Sequence, residues 1–263
     1  MKGRLRDPLS AVRAALPPLA LTAVLLGVWE AACRLLSVPV YLLPAPSAIG
    51  AAIAGALPIL LQSALTTLFA ALQALVVAFA AAALLAATGA LSPMFRRAFG
   101  PLAAVIQVTP VVALGPLFVI WAGLDHPGRA LTALGALVAF FPIYSGLAAG
   151  LAAADPDLER LFDLYGAGRW RRLVHLRLPS AVPHLLQGVK VGAGLAIVGV
   201  VVAEFVAGSG DSQGLAWRIL ESEHQLKIAQ MFAALTVLGV LGAGLNALFT
   251  LAEQGLLKAW RGR

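Results

Sequence analysis

The sequence predicts an all-α integral membrane protein of six transmembrane helices with both termini in the cytoplasm. Three observations predict it. Of 263 residues, 60% are hydrophobic and only 12% charged, with a mean hydropathy of +0.91; a soluble domain carries roughly 25% charged residues. Six apolar stretches reach the length of about 20 residues that a helix needs to cross the hydrocarbon core: 17–36, 62–88, 99–123, 130–152, 183–207 and 229–254. Finally, fourteen of the nineteen Lys and Arg residues fall in segments that share one side if these stretches alternate in direction, and that side is inside.

Each element follows from local chemistry. Backbone polar groups in lipid must be satisfied internally, so the apolar runs are helices rather than strands of a barrel, which would alternate in polarity. Residues 1–16 form a basic cytoplasmic segment (Lys2, Arg4, Arg6, Arg13), and the run that follows lacks a small-x-small cleavage site, so it reads as an uncleaved first span. Residues 17–61 hold this span and an outer loop. In that loop the prolines of Leu43-Pro44-Ala45-Pro46-Ser47 force an extended turn before a short helix near Ser47. Residues 62–254 form the main transmembrane domain, interrupted by a cytoplasmic loop at 153–182, and 255–263 form a basic tail. A tight outer turn falls at Asp125-His126-Pro127-Gly128. The 208–228 loop opens on Gly208-Ser209-Gly210-Asp211 and continues as a charged helical segment to Lys227. Cys33 is the single cysteine, so no internal disulfide can form, and it reads as a buried thiol. The net charge of +7 sits at span ends, which points to lipid headgroups rather than nucleic acid.

The 153–182 loop is the most informative segment. Asp155 can cap a helix whose first residue is Pro156. Beyond it, Leu158, Leu161, Phe162 and Tyr165 share one face, with Glu159, Arg160 and Asp163 elsewhere. Gly166 and Gly168 turn the chain, and a second short basic helix over 169–177, containing Arg169 and Trp170, ends at Pro179 and Pro183. Two readings fit: docking of the aromatic-aliphatic face into a groove on another protein, or a loop lying in the headgroups.

This loop resembles the EAA loop of binding-protein-dependent ABC permeases: Gly166 falls on its glycine, Leu176 on its aliphatic position and Leu178-Pro179 on its terminal pair. Leu43-Pro44-Ala45-Pro46-Ser47, the run from Pro110 through Gly115, Pro116 and Leu117 to Trp121-Ala122-Gly123, Phe141-Pro142-Ile143, Asp155-Pro156-Asp157-Leu158, Ala203-Glu204 and Gly214-Leu215 are similar to the nitrate, sulfonate and taurine branch. The resemblance implies the type I ABC importer permease fold and a place in the bacterial inner membrane. It implies three partners: an ABC ATPase that binds ATP and Mg, a solute-binding protein, and a second copy of the chain. No cofactor is expected on this chain. The implied solute is a small anion such as nitrate, a sulfonate or taurine, or a pyrimidine-like compound. One departure stands out: Arg160-Leu161-Phe162 occupies the place of the acidic-Ala-Ala triplet, with Glu159 displaced by one. A complementary groove on the partner and weakened coupling both fit it.

Charged and helix-breaking residues inside spans are functional candidates. Glu30 beside Trp29 can hydrogen-bond a neighbouring helix or lie at the outer interface. Lys190 can snorkel to water or pair with the loop. Glu204 can shape an outer gate, meet the binding protein or cap a helix. Pro110, Gly115, Pro116 and Gly192 fit either a pathway or close packing; in the resembled family their two helices border the path. The chain has no phosphate-binding Gly-x-x-x-x-Gly-Lys-Ser/Thr motif, no metal-ligand histidine spacing and no nucleophile elbow. A membrane enzyme and an ion-coupled transporter acting alone remain as the competing classes.

Overall fold

A computed structural model describes residues 8–123, 126–207 and 213–261. Lys2, Arg4 and Arg6 of the N-terminal segment, Asp125 of the outer turn and the glycine-rich start of the 208–228 loop lie outside the described residues. Among the described residues ten α-helices run in chain order: α1 (Pro8–Leu35), α2 (Pro46–Leu91), α3 (Pro93–Val108), α4 (Val111–Ala122), α5 (Pro127–Ala152), α6 (Pro156–Leu164), α7 (Arg169–Arg172), α8 (Leu178–Ala207), α9 (Leu215–His224) and α10 (Ile228–Arg261); a π-helical turn at Leu173–Arg177 joins α7 to α8. Five of the continuous helical stretches are long and apolar enough to cross a membrane, and a sixth crossing results if α3 and α4 count as one.

The departures from the sequence reading have backbone causes. The third span is not one helix: α3 and α4 meet at a 100° bend. Pro110 has no N–H and keeps Thr109 extended at φ −68°, ψ 128°, and the Thr109 hydroxyl donates to the Val105 carbonyl at 2.8 Å. The outer loop at 37–61 is shorter than expected. Pro46 stands in the first turn of α2, where a missing N–H costs nothing, and the 46-residue helix continues through Pro58. The helix after Gly168 does not stop at Pro179 either. The wider π turn removes the clash that a proline makes with the carbonyl four residues earlier, and the chain runs on to Ala207. At the ends, α1 begins at Pro8 inside the segment read as a tail, and α10 absorbs most of 255–263.

The core lies where α2, α5 and α8 meet, and small residues set its spacing. Ala71, Ala74, Ala78 and Ala82 line the buried face of α2. Between α5 and α8 the backbones nearly touch. A Cβ on Gly188 would lie 2.6 Å from the Pro142 carbonyl oxygen, one on Gly199 2.7 Å from the Gly135 Cα, and one on Gly192 2.8 Å from Ile143. Close approach of this kind is how helices associate in lipid, where van der Waals contact replaces the hydrophobic drive. A second cluster joins the outer half of α2 to α9 and α10 through Ile49, Leu60, Leu215, Ala233 and Ala234, with Trp29 against Phe232 at 6.5 Å. Cys33 is buried.

Candidate functional site

Three helix termini, the start and the end of α2 and the start of α9, are satisfied by side chains from other elements. The first N–H groups and last C=O groups of a helix have no partner within it, and charge of the right sign is favoured there. At the start of α2, Ala45 offers no side-chain cap. Glu30 of α1 supplies it: Oε2 accepts the Ser47 N–H at 2.9 Å, and Oε1 accepts the Ser47 hydroxyl at 2.8 Å and Arg34 Nε at 2.6 Å. At the start of α9, Gly214 has no side chain at all. Glu204 of α8 accepts the Ala216 N–H at 2.9 Å through Oε2 and the Thr67 hydroxyl at 2.8 Å through Oε1, while Thr67 Oγ1 accepts the Leu215 N–H at 2.9 Å. Glu204 is 3% exposed and Thr67 fully buried. Gly214 is required by this cap, because a Cβ there would collide with the Glu204 carboxylate.

The structure therefore puts Glu204 inside a joint of α2, α8 and α9, where it caps a helix. Gly192 is buried against Ile143 within one copy of the chain, and Gly115 is buried with its Cα facing Val206 of α8; both are packing positions. Pro110 lies exposed at the α3–α4 bend and Pro116 is exposed on α4. Lys190 pairs with Glu253 of α10 at 2.9 Å rather than with the 153–182 loop. Glu253 closes the last apolar run, and a carboxylate there was the signal to look for. Thr67 was also legible, since it falls in the same helical register as Ala71, Ala74 and Ala78. Next to this joint, Arg218 is held by Ser63, Glu221 and Gln213.

The Lys190–Glu253 pair is largely shielded, so removing one partner strands the other, at a cost of about 3–5 kcal/mol in a fully buried setting. Lys190→Met is expected to lower the melting temperature in detergent more than Lys190→Met combined with Glu253→Leu. Equal losses in the two variants would mean that the pair does not act as a unit.

At the basic end, α6 is capped by Asp155, whose Oδ1 accepts the Asp157 N–H at 2.8 Å. It ends in a left-handed Gly166 (φ +64°), with Ala167 N–H reaching back to the Phe162 carbonyl at 2.9 Å. Its polar side is fastened down. Glu159 accepts Arg177 Nε at 2.6 Å and lies 3.9 Å from Arg172, which also pairs with Asp163. Arg177 and Arg169 donate in turn to the Ala90 and Leu91 carbonyls at the end of α2, at 3.3 and 3.5 Å. Leu173 and Leu176 are buried beneath, Leu178 is exposed and Pro179 half-buried. The other side is bare. Leu161 is 43% exposed, Tyr165 83% and Trp170 65%, with Phe162 half-buried and Arg160 paired with exposed Asp157. Gly168 starts α7 in an extended conformation. The result is an aromatic-aliphatic face turned outward, with its polar side held down by ion pairs.

Residues 80–261 match the family described as binding-protein-dependent transport system inner membrane component. The chain is similar to the riboflavin transport system permease protein RibX of Chloroflexus aurantiacus, with 34% identity over 90% of this chain and 87% of that protein. It is 29% identical to the formylaminopyrimidine transport permease protein ThiX of Halalkalibacterium halodurans, over 94% and 96% of the two chains. Similarity to the taurine transport system permease protein TauC of Escherichia coli is 28% identity over 65% and 60%.

Proposed function

The chain belongs to the binding-protein-dependent transport system inner membrane components, and from that premise we propose that it is the permease subunit of an ABC importer with α6 and α7 as its ATPase contact. The observation that carries this reading is the exposed face of Leu161, Tyr165 and Trp170, backed by the Glu159–Arg177 and Asp163–Arg172 pairs. In this reading the basic end lies in the cytoplasm. A separate ATPase binds and hydrolyses ATP with Mg, and this chain does no bond chemistry. Two copies enclose the path, a solute-binding protein loads it from outside, and ATPase closure rocks the two bundles between access states. Leu161 and Phe162, standing where small residues are usual, enlarge the apolar contact and call for a correspondingly wider groove on the partner.

The proposed solute is a small nitrogen- or sulfur-containing compound. Nitrate, sulfonates and taurine form one reading, supported by similarity to TauC over part of the chain. A pyrimidine-like heterocycle forms the second, favoured by the near full-length similarity to RibX and ThiX. A panel of these compounds against the cognate binding protein, read by calorimetry, separates the two.

The coupling assignment is tested on the reconstituted assembly. Liganded binding protein should stimulate ATP hydrolysis, and Leu161→Asp combined with Tyr165→Asp should remove that stimulation. Both side chains are exposed, so the bundle should elute unchanged from a sizing column. If stimulation survives with the ATPase still bound, the face is not the contact; if no ATPase associates with the native chain, a lone transporter is the better reading.

A further inference from the structure

Behind the outward face, a cavity of about 410 Å³ lies between the last turn of α2, the start of α3, the end of α5 and the α6 region. Its polar wall is Arg96, Tyr144, Glu159 and Arg177. Tyr144 is only 6% exposed. Its ring is fixed by stacking on Phe140 at 5.5 Å and by the edge of Phe99 at 5.3 Å, yet its hydroxyl has no hydrogen-bond partner among the described residues. The Arg96 stem crosses Gly89, its Cβ 3.6 Å from where a Gly89 Cβ would stand. No carboxylate among the described residues lies within ion-pair distance of Arg96, whereas the nearby Arg177, Arg172 and Arg160 each have one.

We propose that this cavity binds a phosphate-bearing anion, either the headgroup of an anionic phospholipid or a free phosphate compound, on Arg96 and the Tyr144 hydroxyl. Two guanidinium groups line the cavity against one carboxylate, and that carboxylate also serves Arg172. The Ala90 and Leu91 carbonyls, which would repel an anion at the end of α2, are already taken by Arg177 and Arg169. What remains unmatched is a guanidinium, with its planar set of N–H donors suited to phosphate oxygens, and a hydroxyl free to add one more. The volume falls in the range of small-molecule sites. An occupant would touch both the α2–α3 corner and the Glu159–Arg177 pair, and so would set the stance of α6. That consequence rests on the coupling reading; the binding itself does not.

The test uses the full chain in nanodiscs, with melting temperature followed by tryptophan fluorescence. Moving from phosphatidylcholine to discs containing phosphatidylglycerol, or adding inorganic phosphate to phosphatidylcholine discs at constant ionic strength, should raise the midpoint by several degrees, as a ligand selective for the folded state does. Arg96→Gln and Tyr144→Phe should each abolish the rise. Neither variant threatens folding: Arg96 is exposed, and phenylalanine preserves the ring stack. Arg97→Gln, next door but off the cavity wall, should keep it. A rise in the lipid arm alone identifies a headgroup, and a rise with inorganic phosphate identifies a free compound. If neither arm gives a rise that depends on Arg96 and Tyr144, the cavity holds only water and the proposal is overturned.

Discussion

Gly188→Val is expected to prevent the protein from accumulating in folded form. The added Cβ would lie 2.6 Å from the Pro142 carbonyl oxygen and 3.2 Å from the Ile143 Cα, both backbone atoms of α5. A side chain in the way can rotate, but a helix backbone must translate. Moving α5 also opens the contacts at Gly192 and Gly199, so the cost exceeds the roughly 1–3 kcal/mol of ordinary overpacking. The monodisperse fraction after detergent extraction measures the effect. Gly194→Val on the same helix is the control, because nothing lies within 4 Å of its Cβ position. Similar yields from the two variants would mean that the α5–α8 spacing tolerates separation.

Glu204→Ala should release α9. The substitution leaves the Thr67 hydroxyl and the Ala216 N–H without acceptors in a dry joint, at about 1–3 kcal/mol for each unsatisfied group. Gly214→Ala should give the same phenotype from the opposite side, since its Cβ would displace the carboxylate it packs against. Hydrogen exchange reads this directly: the Leu215 and Ala216 amides should lose protection in both variants while the α5–α8 core keeps its own. Amides of α9 that stay protected would show that the cap is dispensable.

The comparison of sequence and structure turns on what a local pattern can carry. Charged residues between apolar runs located the 153–182 segment, and Asp155-Pro156 located the start of α6, because capping chemistry is local. The identity of a charge's partner is not local. Lys190 meets Glu253, 63 positions away, and Glu204 meets Thr67 over 137; neither separation is encoded in a motif. Uniformly apolar sequence also hides where helices end. Pro46 and Pro110 both stand at the start of a helix, yet one opens a helix of 46 residues and the other a span bent by 100°; what differs is what precedes them, an extended loop before Pro46 and the apolar helix α3 before Pro110.

That long helix has a mechanical meaning. At 1.5 Å per residue, α2 extends for about 69 Å, more than twice the roughly 30 Å of the hydrocarbon core. Arg169 and Arg177 grip one end, Glu30 clasps the other, and Ser63 and Thr67 hold Arg218 and α9 along the way. It is a strut between the two faces of the membrane. In the coupling reading proposed above, a thrust at the α6–α7 end would reach α9 through the one helix that both of them touch.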